Sequence, residues 1–122
     1  MSNMIITNNP AVREKYSGSI DVEFVETGPE GVFIRVRDHI HAGRKLLTHP
    51  VSGGTNPGVN PYRSVMISGE TGPLDYDSLI IIEECIASLK KFQKNKSDIP
   101  ENFLEDYKEL DLKLIGVAAD RR

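Results

Sequence analysis

Apolar residues along the chain switch repeatedly between two periods. Met4, Ile5 and Ile6 form a short apolar run that stops at Thr7-Asn8-Asn9-Pro10, and such a run predicts a strand. Asn9 then stands as an N-cap and Pro10 as the first residue of a helix, which residues 11–16 carry to the break at Ser17-Gly18-Ser19. Over residues 20–26, Ile20, Val22 and Phe24 alternate with Asp21 and Glu23, predicting a second strand with one wetter face that Val25 blurs. Beyond the Thr27-Gly28-Pro29 turn, Val32, Phe33, Val36 and Ile40 recur at helical spacing. Gly43 suits the stop of that helix, with His41 near its negative end.

Lys45-Leu46-Leu47-Thr48-His49 predicts a third strand and Ser64-Val65-Met66-Ile67-Ser68 a fourth. The segment between them is rich in Gly, Pro, Asn, Ser and Thr. After a turn over residues 69–73, Asp75 or Asp77 can cap a long helix with the stripe Leu79, Ile82, Ile86 and Leu89, and with Cys85 and Phe92 beside it. The additional Ile80 and Ile81 suggest burial of that helix on more than one side. Asp98 with Glu101 makes a capping-box-like start for a last helix, with Pro100 in its first turn. Its apolar stripe is Phe103, Tyr107, Leu110, Leu114 and Val117. Leu110, Leu112 and Leu114 also alternate with Asp111 and Lys113, and Gly116 costs a helix about 1 kcal/mol, so residues 110–119 could be a strand. The longer periodic set favours the helix.

This order predicts an α/β fold: one small layered domain over residues 1–122, about four strands, at least partly parallel, with helices packed on the sheet. The direction of the fourth strand stays open. The connection before it is just long enough for a parallel crossover of about a dozen residues, and a wide antiparallel hairpin serves equally well.

Composition narrows the classes. A chain of 122 residues with 39% apolar and 27% charged residues is an ordinary single soluble domain. No apolar run approaches the ~18 residues of a membrane span, and the N-terminus lacks the basic region and apolar length of a signal peptide, so a cytoplasmic location is expected. The single cysteine, Cys85, leaves no internal disulfide and fits a reducing compartment, as a small buried hydrophobe. A net charge of −3 without a basic stripe speaks against nucleic acid. The basic cluster at 90–96 and the acidic one at 101–111 read as charged helix ends and solvated faces.

Candidate chemistry gathers at two strand exits. Ligands of α/β sheets lie at the carboxyl ends of strands. Here Thr7-Asn8-Asn9-Pro10 and Thr48-His49-Pro50 each place a hydroxyl, a larger polar side chain and a proline at such an end. Helix capping and turn formation account for the same residues. Gly53 and Gly58 have the spacing of a phosphate loop, but Val59-Asn60 stands where that motif needs Lys and a hydroxyl residue, which excludes a nucleotide P-loop. Ser52, Gly53, Gly54 and Thr55 can still form an anion nest. Arg63 can add a charge-assisted clamp, beside Ser64. Thr7, Asn8, Asn9 and Thr48 complete the candidate ligand set, with His49 its one acid–base candidate. If a site exists, Asn8, His49, Ser52 and Arg63 should face it together. His39 and His41, two apart on a helix, cannot form an i,i+4 metal pair and read as surface or helix-end residues. No motif calls for a metal or cofactor.

The blocks "MIITNNPAVREKY", "VRDHIHAGRKLLTHPVSG", "NPYRSVMIS" and "LDYDSLIIIEECI" together resemble the GrdX family. These small proteins are encoded beside the glycine, sarcosine and betaine reductase components of anaerobic amino-acid-fermenting bacteria. The resemblance runs from Met4 to about Lys96, and the acidic helix beyond Asp98 matches more loosely. Its matching positions are Thr7 to Pro10, then Thr48, His49, Pro50, Ser52 and Gly53, then Pro61 to Ser64. The family brings no agreed catalytic residues, so the positions carry over without roles. The resemblance implies an accessory, assembly or regulatory part, with reductase subunits as partners. Three readings follow, in this order. The first is an accessory protein that binds a small anionic metabolite. The second is an interaction module that binds a reductase subunit or a second copy of itself. The third is a small enzyme using His49 as acid–base, with Arg63 holding the substrate.

Overall fold

The computed structural model describes residues 3–50, 60–92 and 101–120. Within them the order is β1 (Met4–Thr7), α1 (Pro10–Tyr16), β2 (Asp21–Phe24), α2 (Pro29–His41), β3 (Ser64–Ile67), α3 (Tyr76–Phe92) and α4 (Glu101–Ala119). The sheet has three strands in the order β2-β1-β3. β1 is its centre, parallel to β2 and antiparallel to β3. The fold is thus α/β with a mixed sheet.

Strand period and burial explain the layers. Successive side chains of a strand point to opposite faces. Ile6, Val65 and Ile67 pack on one face with Val32, Phe33, Val36 and Ile40 of α2 and Ile82, Ile86 and Leu89 of α3. Ile5 and Met66 pack on the other with Val12 and Tyr16 of α1 and Ile115 and Ala119 of α4. A sheet covered on both faces needs unbroken apolar runs, which is why β1 and β3 read as Met-Ile-Ile and Val-Met-Ile rather than alternating.

Local signals placed most helix ends. The Asn9 side chain accepts the Ala11 N–H at 3.0 Å, and Pro10 follows as the first helical residue. Gly43 ends α2 at φ +103°, and a Cβ there would lie 2.2 Å from the Gly72 carbonyl oxygen, so only glycine fits. At the start of α3, Asp75 rather than Asp77 takes the Ser78 N–H at 3.2 Å. Asp98 and Pro100, the predicted start of α4, lie outside the described residues.

Three expectations are corrected. The expected third strand is not a strand: residues 45–49 make one isolated antiparallel bridge, Leu46 with Ile67. Side chains intercept the ladder there, since the Met66 N–H goes to Thr48 Oγ1 at 3.0 Å and the Leu46 N–H to Ser78 Oγ at 3.0 Å. The bridge also makes the approach of this segment to β3 antiparallel. On α3, the expected burial beyond the stripe holds for Ile81, which packs partly against the core, but not for Ile80, which is exposed. Residues 110–119 are helical, yet α4 turns the other way from its expected stripe. It buries Asp111, Ile115 and Ala119, while Phe103 is 49% and Val117 60% exposed. Gly116 belongs to the inward side, where a Cβ would come within 3.2 Å of Tyr16 Oη. α1 and α4 therefore approach closely, and Tyr16 Oη donates to Asp120 at 3.1 Å.

Candidate functional site

The antiparallel pairing sets Thr7, the last residue of β1, against Ser64, the first of β3. The bridge at Leu46 runs along β3 in the same direction as β1. The exit of β1 and the end of the segment 45–49 therefore open at one end of the sheet, with the start of β3 between them. They are not direct neighbours but one strand apart.

A buried chain of hydrogen bonds closes this end. The Asn9 N–H donates to Thr7 Oγ1 at 2.9 Å, Thr7 Oγ1 lies 2.7 Å from Ser64 Oγ, and Ser64 Oγ donates to Asp111 Oδ2 at 2.7 Å. Since Ser64 spends its proton on Asp111, Thr7 donates to Ser64 and all the protons in the chain point toward the carboxylate. Asn9 Nδ2 reaches the same Oδ2 at 3.1 Å and the Lys108 carbonyl at 2.9 Å. Asn9 thus caps α1 with its oxygen and ties it to α4 with its nitrogen.

Asn8 serves a different junction. Its Nδ2 donates to the carbonyls of Thr27 and Pro61, each at 2.9 Å, and its Oδ1 accepts the Arg63 N–H at 2.9 Å. One amide therefore ties together the segments before α2 and before β3. Its hydrogen bonds are structural, and it does not line the cleft described next.

Thr48, His49, Pro50, Arg63, Ser64 and Asp111 line a cleft walled by Leu114 and Ile115 of α4. Its volume is about 20 Å³, room for about one water molecule. His49 is exposed at the rim, whereas Arg63 and Asp111 are 3% and 5% exposed. Burial pushes the Asp111 carboxyl above its usual range, against the opposing hydrogen bonds from Ser64 and Asn9 and the charge of Arg63. Burial likewise lowers Arg63 while Asp111 opposes it. Each ion is thus held where desolvation outweighs the attraction of its neighbour.

Of the residues expected at a site, Thr48, His49, Arg63 and Ser64 share the cleft. Thr7 and Asn9 reach it only through the hydrogen-bond chain behind Ser64. Asn8 faces elsewhere, and Ser52, Gly53 and Gly54 lie outside the described residues. Sequence reasoning missed Asp111. Its signal was present, because Asp111 shares an i,i+4 row with Ile115 and Ala119, where a carboxylate interrupts an otherwise apolar face.

Two other titratable positions are set by burial. His39 is buried rather than on the surface, with Nε2 3.0 Å from Glu23 Oε1 and Nδ1 3.3 Å from Arg44 Nη1. Arg44 can only donate, so Nδ1 accepts and the ring proton points at Glu23. Cys85 is pushed from 9.0 up to about 11, by burial first and by Glu84 second. At a fixed pH this lowers its thiolate fraction about 100-fold. Native protein should therefore react with iodoacetamide about 100-fold more slowly than an unhindered thiol, and fully once unfolded. Rapid native labelling, followed by mass spectrometry, would contradict this placement.

Fold and site together define a small α/β protein in which one end of the sheet is closed by a buried polar network around Asp111, with Arg63 lining the same cleft. The chain belongs to the GrdX family: the family model described as GrdX-like protein matches residues 4–120. Among curated proteins and among solved structures nothing matches the chain significantly. No helix among the described residues is long and apolar enough to cross a membrane.

Proposed function

We propose that this protein is a non-catalytic accessory component of a glycine-, sarcosine- or betaine-reductase system and that it holds a small carboxylate- or phosphate-bearing metabolite at the cleft between Thr48-His49 and Arg63-Ser64. The family membership supports the association with such a system. The observation that carries the ligand reading is the buried Arg63, which shares a cleft with the exposed His49. A guanidinium held in a low-dielectric floor attracts an anion more strongly than one in water. Space for one water means that the His49 rim must move aside as the ligand enters.

Asp111 sets the pH dependence of this binding. As a carboxylate it competes with an arriving anion for Arg63, and burial raises its pKa, so lowering the pH removes that competitor sooner than it would for an exposed aspartate. Anion affinity should therefore be higher at an acidic pH than at neutral pH. A thermal-shift panel with phosphate, acetyl phosphate, glycine and betaine tests the reading. At least one ligand should raise the midpoint, more at the lower pH, and His49→Ala should change the dose dependence without unfolding the chain. Midpoints unmoved by every ligand at both pH values would sink the proposal.

A further inference from the structure

The outward face of α4 carries an unused pairing seam. Phe103, Tyr107, Leu110, Leu114 and Val117 follow one another at alternating steps of four and three residues, the a/d repeat of a two-stranded helix contact. Among the described residues the fold buries this repeat only in part. Phe103 is 49% and Val117 60% exposed, the three residues between them are half-buried, and the core takes Asp111, Ile115 and Ala119 instead.

We propose that α4 pairs antiparallel with α4 of a second copy of this chain. The charges beside the seam select that occupant. Placing Tyr107 opposite Leu110 of the second copy also sets Phe103 opposite Leu114 there. In this register the flanking Asp106 lies diagonally across from Lys113 of the second copy, two positions beyond the residue directly opposite it, and two-fold symmetry repeats the contact. Both Asp106 and Lys113 are exposed and can reach across. Among the described residues Lys113 pairs with Glu109 on its own helix, at 4.0 Å with both side chains exposed, a weak pair that is easily exchanged.

A seam of two heptads does not hold two free peptides together in water. Here the helix is already ordered by its inward face, so pairing does not carry the cost of forming it. One helix pair still buries less than a standard interface of about 1,600 Å². The dimer is therefore reversible and concentration-dependent. Leu114 also walls the cleft, so the second copy sits beside the proposed ligand site without needing that site to be occupied.

Sedimentation equilibrium from low micromolar to near-millimolar protein reads the mass directly. The wild-type chain should pass from monomer to dimer. Phe103→Glu and Val117→Glu alter exposed positions, so each should keep the fold by circular dichroism and weaken dimerisation about tenfold or more. Asp106→Lys and Lys113→Asp should each weaken it several-fold, and the double swap should restore it. The inference is overturned by a monomer at every concentration, by a dimer indifferent to Phe103→Glu and Val117→Glu, or by a double swap no better than the single ones. Binding of phosphate or glycine is scored separately, so this result stands apart from the ligand reading.

Discussion

Asp111→Ala is expected to destabilise the folded chain by about 2–5 kcal/mol, because each buried donor left without its acceptor costs about 1–3 kcal/mol. The substitution leaves Ser64 Oγ–H and Asn9 Nδ2–H without their acceptor and takes the neighbouring anion from the buried Arg63. Asp111→Asn should cost much less, because its amide oxygen can occupy the position of Oδ2 and keep both hydrogen bonds. The contrast also has a defined pH dependence. The folded pKa of Asp111 lies above its unfolded value. The folded state therefore holds this proton more tightly, and the associated stability is complete below the unfolded pKa and lost as pH rises through the folded one. Relative to Asp111→Asn, the wild-type chain should lose stability across that window. Urea denaturation of the three chains at pH 4 and pH 7 measures both effects. Equal losses for Ala and Asn would mean that the hydrogen bonds at Oδ2 carry no weight.

The second large effect belongs to Asn8. Asn8→Ala removes two donors and one acceptor from buried or half-buried backbone groups. Each group left unmet costs about 1–3 kcal/mol, partly recovered where water can enter, so a total near 3 kcal/mol is expected. Asn8→Asp is nearly isosteric and should be worse at neutral pH. It points a carboxylate at the Thr27 and Pro61 carbonyls, which now accept from Nδ2 at 2.9 Å. Protonation would return one donor, so this variant should regain stability as pH falls toward 4 while Asn8→Ala does not. If Asn8→Asp proves as stable as wild type at pH 7, the junction between the segments before α2 and β3 does not depend on this amide.

Much of the fold was legible because its signals are local. The Asn9-Pro10 start of α1, the Gly43 stop of α2 and the runs of β1 and β3 rest on interactions within a few residues or on strand period. The parallel element was expected, and β1 with β2 supplies it. The candidate site was legible in part. Polar residues after an apolar run pointed to Thr48 and His49, and the search for an anion clamp pointed to Arg63 beside Ser64. The same logic overreached at Asn8, whose side chain went to backbone groups 19 and 53 residues away.

By itself the sequence determined which segments become helices, where most of them start and stop, and that both faces of the sheet would be covered. Those properties depend on backbone propensity, caps and periodicity, all short-range. Only the tertiary structure decided which face of α4 turns inward. Its a/d stripe is the more apolar, yet the buried hydroxyl of Ser64 and amide of Asn9 need an acceptor, and Tyr16 needs the space at Gly116, so the face with Asp111, Gly116 and Ala119 docks. That choice brought a carboxylate 102 residues along the chain from Asn9 into the site beside Arg63 and left the stripe only half covered, with Phe103 and Val117 at the surface. It follows from satisfying buried polar groups across distant segments, a condition that no local pattern of hydrophobic and polar residues records.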